Sequence, residues 1–312
     1  MIVLPDDGQR VARPRSMIVS SRHFRCLLVL IALPFLLGAK SNGAKEQVIC
    51  REGFLEIVSP DQLGVDDCKQ VAKMTMAAWN FDLKQMEWNR SINMNNPLTL
   101  RVISIESMRT RHRGVLAFAM AGGNLLVVST AVLRDSFANG TLAHELGHIQ
   151  AYRALGEFSK KGSVPHYFLE GHGLSMGRSY RDHLRVANHR YDISMAKAFA
   201  KLSGNEAKII LTTDENYYKK DGKKDPKKNF RMEAMGVFFV EYLRVRSGIP
   251  DAIYRMGRVF ELVGRGRTYE SAFKQTYGVS VNQVISEITA FMARTQSDPA
   301  ERLRKTRYER LL

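Results

Sequence analysis

Residues 141–151 read TLAHELGHIQA and bring His144, Glu145 and His148 into one short stretch. On an α-helix, residues four apart stand one above the other, so His144 and His148 can aim imidazole nitrogens at a single point. Two such nitrogens suit a tetrahedral zinc ion, which hydrolytic sites hold with three protein ligands and a fourth position for water. Zinc lowers the pKa of that water to about 7, and a carboxylate beside a ligand can then remove its proton. Glu145 has that place, as general base rather than ligand. Ala143, Leu146 and Ile149 fall away from the metal face and predict the side that packs into the core. The same spacing also arises when two histidines merely share a helix, so the reading needs a third ligand.

The position six residues after His148 is Ala154, which rules out the metzincin arrangement with its third histidine there. Further on, the segment VPHYFLEGHGLSMG places Glu170 22 residues after His148. A carboxylate on the next helix, behind a loop that lets this helix fold back on the first, would complete a His, His, Glu set. Gly171 and Gly173 predict a close approach of the two helices.

The elements that must position these residues are legible as patterns. Residues 54–58 read as a short strand closed by Ser59-Pro60, and 66–89 as a long helix with acids in its first turn. Val71, Met74, Ala78, Phe81 and Trp88 recur along it at roughly helical spacing and read as core. Residues 98–105, LTLRVISI, alternate with period two and predict a strand. Two apolar runs, 115–120 and 125–129, joined by AGGN, predict a hairpin. The helix carrying the histidines spans 137–155, a loop follows at 156–164, and Pro165 opens a helix to about residue 185. The rest is helical in period: 193–202, 230–246, 251–263, 269–277 and 280–293. The expected fold is therefore α+β and zincin-like. A small twisted sheet with long helices occupies residues 40–155, and a helical lobe carrying Glu170 occupies 156–294.

The histidine helix together with P-x-x-F-L-E-G-x-G resembles the gluzincin metallopeptidases, in particular the compact peptidase-MA-like group with its Pro-x-Trp-Leu-x-Glu-Gly-x-Ala pattern. Gly173 stands where that pattern has Ala, and His172 where any residue is usual. The segments FRMEAMGVFFVEYLRVRSG and TYESAFKQTYGVSVNQVISEITAFM resemble later helices of the group, so the similarity runs roughly from residue 54 to 292. The resemblance implies one zinc ion per chain on His144, His148 and Glu170, with Glu145 as base and proton shuttle in peptide-bond hydrolysis. It also implies that the strand at 125–129 is an edge that pairs with an extended peptide. The oxyanion-stabilising residue of larger gluzincins has no motif here; Tyr180, Tyr217, Tyr218 and His172 are the candidates.

The N-terminus bears on compartment. Arg22, His23 and Arg25 precede CLLVLIALPFLL and the small pair Gly38-Ala39, the pattern of an export signal over residues 1–39, with Met17 as an alternative start. The apolar run is short for a membrane span, although an uncleaved anchor is the other reading. The expected location is periplasmic or secreted. Cys26 lies in that segment, leaving Cys50 and Cys68, an even pair that predicts a disulfide in an exported chain.

Formal charge is +16, and outside residues 1–39 there remain 42 Lys and Arg against 29 acids. That excess favours weak contact with anionic surfaces without selecting nucleic acid. The run KKDGKKDPKK, from Lys219 to Lys228, and the basic tail at 295–312 are the candidate contacts. Two other functions fit the same sequence: a catalytically silent zinc protein that binds partners, and a basic surface protein in which the histidines are incidental.

Overall fold

A computed structural model describes residues 48–60, 64–86, 88, 96–111, 116–134, 138–186, 189–213, 219–220, 223–247, 255–298 and 300–301. The fold is α+β, a small mixed sheet followed by helices. The first strands, β1 (Val48–Glu52) and β2 (Leu55–Val58), form an antiparallel hairpin around Gly53, whose φ of 56° suits a residue without Cβ. Helix α1 (Val65–Gln85) crosses over to β3 (Leu98–Ile103), which pairs parallel to β2. After the short helix α2 (Ile105–Arg111) come β4 (Ala117–Ala119) and β5 (Leu125–Ser129), an antiparallel pair in which β5 lies parallel to β3.

The strand order is β1-β2-β3-β5-β4, so β5 is interior and β4 forms the edge. This corrects the expectation that residues 125–129 make the edge. Strand β5 is buried at Leu126, Val127, Val128 and Ser129, as a strand covered on both faces must be.

Helix α3 (Thr130–Arg134) leads into α4 (Ala138–Leu155), which carries both histidines; a 3-10 turn (Gly156–Lys161) then leads to α5 (His166–His183). The remaining helices are α6 (His189–Ala200), α7 (Gly204–Thr212), α8 (Pro226–Ser247), α9 (Met256–Gly264), α10 (Tyr269–Tyr277) and α11 (Val281–Arg294). Helix α7 was not expected from periodicity, yet Ser203 caps it by accepting from Glu206 N–H, within a Ser-x-x-Glu capping box. The lysine run forms a minimal hairpin, β6 (Lys219–Lys220) with β7 (Lys223–Lys224), and Pro226 opens α8, where a plain loop was expected. Residues 1–39, where an export signal was expected, residues 302–312 of the tail, Tyr217 and Tyr218 lie outside the described residues. No helix among the described residues is long and apolar enough to cross a membrane.

One hydrophobic cluster runs from Leu55 on the sheet to Met292 on α11. Helix α5 is sandwiched between α4 and α8 and is buried at every residue from Tyr167 to Gly177. Phe168 anchors its first turn, with ring centroids 5.5 Å from Phe260, 5.3 Å from Tyr269 and 6.2 Å from Phe239. Glycines set how closely the helices approach. A Cβ on Gly177 would stand 2.5 Å from the Gly140 carbonyl oxygen of α4. Gly171 faces the other neighbour: its Cβ would stand 2.5 Å from the Gly236 carbonyl of α8. The expected role of Gly171 in the contact with α4 therefore passes to Gly173 and Gly177. A Cβ on Gly236 would overlap the Tyr167 carbonyl oxygen. Gly236→Ala should accordingly force α8 off α5 and cost about 1–3 kcal/mol, read as a lowered midpoint in urea at unchanged slope.

Asp82 on α1 is fully buried, and neither carboxylate oxygen has a hydrogen-bond partner. Burial pushes its carboxyl well above the usual range. A group protonated more readily folded than unfolded gives its full stability below the unfolded pKa, near 4 for Asp. That stability is lost as pH rises toward the folded value, at about 1.4 kcal/mol per pH unit. Asp82→Asn should therefore flatten the fall in stability above pH 4 and raise the melting temperature at pH 7 relative to wild type. Parallel melting curves at pH 4 and 7 check this, and an equal change at both pH values would refute it.

Candidate metal centre

The α4 periodicity places His144 and His148 on one face, and the helix buries them to 6 % and 1 % exposure. Their Nε2 atoms stand 2.9 Å apart, with the rings inclined at 75°. His148 also stacks on Tyr152, one turn further along. Ala143, Leu146 and Ile149 are fully buried on the packing side, as expected.

Glu170, wholly buried on α5, points at the same place. Its Oε2 lies 3.5 Å from His148 Nε2 and 3.6 Å from His144 Nε2. Neither Glu170 oxygen has a hydrogen bond of normal geometry. Gly173 makes room for this meeting, since a Cβ there would stand 2.9 Å from His148 Nε2.

Glu145 turns toward the sheet instead. Its Oε2 accepts the Ala119 N–H at 2.9 Å. Strand β4 bonds to β5 through Leu116 and Met120, whose partners are Ser129 and Leu125. Alternation along the strand therefore turns the main-chain groups of Ala117 and Ala119 to the open edge. Glu145 thus connects the histidine helix to the β4 edge of the sheet as the described residues form it.

The electrostatics follow from burial. Desolvation, then His148, pulls the His144 pKa down to about 3, so this imidazole is neutral at ordinary pH and keeps a lone pair. Burial alone would raise Glu170, but the imidazoles of His148, His166 and His144 outweigh it and hold the carboxylate below its usual range. A buried anion beside the His144 lone pair is an arrangement that a cation completes. The buried His144, Glu145 and His148 group can hold a metal ion.

Sequence reasoning missed His166. It is the first residue of α5, four before Glu170 and on the same face, and its Nε2 lies 3.3 Å from Glu170 Oε1. The i,i+4 spacing was the available signal. Of the oxyanion candidates, His172 projects from α5 about 200° around from Glu170 and packs on Phe260 and Trp88. Tyr180 stands ten residues beyond Glu170, about 15 Å along the helix, against Phe81. Tyr180 is thus remote from the histidine pair, whereas His172 lies beside Gly147 of α4 and within electrostatic reach of His148 and His144. Trp88, read as part of the α1 stripe, lies past the end of that helix. Its Nε1 donates to Gln150 Oε1 at 3.2 Å. Cys50 and Cys68 form a disulfide joining β1 to α1.

Compared with models of known protein families, and with curated proteins, the chain matches none.

Proposed function

We propose that this chain is an exported zinc-dependent endopeptidase of the gluzincin type, with His144, His148 and Glu170 as ligands and Glu145 as general base. The observation that carries the reading is the approach of Glu170 Oε2 to both histidine Nε2 atoms from a separate helix. The edge of a tetrahedron drawn with zinc–ligand bonds of about 2.0–2.1 Å is about 3.3–3.4 Å. The three donor separations, 2.9, 3.5 and 3.6 Å, bracket that length. Two imidazole nitrogens and one carboxylate oxygen are also the donor set that zinc takes in hydrolytic sites.

A bound zinc ion supplies Lewis-acid activation of water and of the scissile carbonyl. The Glu145 carboxylate would take a proton from the attacking water and return it to the departing nitrogen, leaving a new carboxylic acid and a new amine, between which the acid's proton passes to give carboxylate and ammonium. The Ala119 N–H holds Glu145 Oε2 and so fixes the direction of the base. The outward main-chain groups of Ala117 and the outward carbonyl of Ala119 offer an extended peptide a strand to pair with, which sets the substrate alongside Glu145. The Cys50–Cys68 disulfide supports an oxidising compartment, hence export.

The test is metal analysis of the purified protein beside digestion of a mixed peptide library, with and without chelator. About one zinc per chain and cleavage that chelation stops and zinc restores are expected. A protein that takes up no zinc, or cleaves equally well without it, overturns the proposal.

A further inference from the structure

A cavity of about 500 Å³ opens beside the metal centre, between the first turn of α5, the end of α7 and the start of α10. Its volume falls in the range of small-ligand pockets. The two sites share one side chain. His166 lines the cavity, and its Nε2 lies 3.3 Å from Glu170 Oε1.

The chemistry of the walls narrows what fits. Tyr167, Leu211, Met232 and Tyr269, all buried, form an apolar and aromatic floor beneath a more exposed mouth lined by the hydroxyls of Ser163, Thr212, Thr213 and Thr268. The only polar atoms the two floor tyrosines bring are their hydroxyls, paired at 3.4 Å. Burial raises both phenols above their ordinary range, so the floor carries no charge. At the exposed rim Arg267 and Glu270 oppose each other in sign and leave no net field to favour a charged group. Burying a lone charge against this floor would be costly, whereas an aromatic or long aliphatic group replaces water on apolar surface.

We propose that this cavity is the specificity pocket of the site and receives a large uncharged apolar side chain, aromatic or long aliphatic, from the peptide held at Glu145. This rests on the peptidase reading, but the pocket itself can be read without it. The direct probe is N-acetyl-phenylalanine amide, compared with the N-acetyl amides of lysine and glutamate. Binding to chelator-treated protein is followed by saturation-transfer NMR. The phenylalanine amide should bind at least about tenfold more tightly than either charged amide, the scale of an apolar-pocket preference.

Ser163 and Thr212 lie at the cavity wall and are not core residues, so Ser163→Trp and Thr212→Trp fill the space with little risk to the fold. Each should abolish phenylalanine-amide binding while zinc content and melting temperature hold. In digestion, each should lower the ratio of kcat/KM for phenylalanine-containing over alanine-containing peptides by about tenfold. Equal binding of the three amides, or undiminished binding in both variants, overturns the pocket. Probe binding with no cleavage of any peptide keeps the pocket and removes the peptidase. Cleavage without apolar preference and without probe binding does the reverse.

Discussion

Glu145→Gln should lower peptide hydrolysis by on the order of 10²–10⁴-fold, the usual contribution of a positioned general base, while zinc content stays at the wild-type level. The substitution keeps the side-chain shape and an oxygen that can accept the Ala119 N–H, so the geometry around α4 is preserved. What it removes is the capacity to take a proton. The outcome is informative because two carboxylates stand near the histidine pair. Glu145 belongs to the buried group able to hold a metal, and Glu170 reaches both imidazoles from α5. Glu145 Oε2 is engaged by β4, whereas the Glu170 oxygens lack hydrogen bonds of normal geometry, which favours Glu170 as ligand. If Glu145→Gln loses zinc, the two roles are exchanged. If it retains full activity, the assignment of the base fails.

Glu170→Gln is the complementary experiment. It should weaken zinc binding by well over the roughly 10–100-fold that follows loss of an outer-shell partner, because a charged donor is replaced by a neutral one. His148→Ala should do the same, since it removes one of two nitrogens that α4 alone supplies. Competition with a chromogenic chelator gives the affinities directly, without reference to turnover. Secondary structure should be retained in both variants, because Phe168 and the glycine contacts hold α5 in place independently of the metal. Unchanged zinc affinity in Glu170→Gln would remove that residue from the ligand set. The pattern across the three variants also distinguishes a hydrolase from a silent zinc-binding relative. In the latter, Glu170→Gln and His148→Ala lose metal, but Glu145→Gln changes nothing measurable in a digest.

Local spacing was enough to predict the histidine face of α4, because four residues make about one helical turn whatever surrounds the helix. The period-two run at 98–105, of which 98–103 is strand and Ile105 already opens α2, and the glycine-joined runs of β4 and β5 were likewise legible from local pattern, as was the even cysteine pair. Glu170 could be nominated from its position after a loop, and the glycines after it signalled close packing. Which glycine serves which neighbour was not legible: Gly171 turned out to meet α8, and Gly173 the histidines. Strand order was likewise beyond reach, since β5 and β4 are both short apolar runs and only pairing with β3 makes one interior.

The sequence by itself therefore determined the chemical types available: two imidazoles one turn apart, a carboxylate beside them and another on the following helix. The tertiary structure decided that Glu170 reaches both imidazoles, that Glu145 faces an edge strand 26 residues earlier, and that His166 joins the centre to a cavity. The reason is geometric. Periodicity fixes directions within one helix, but distances between helices depend on where side chains are absent, and here glycines at the α4–α5 and α5–α8 contacts set them.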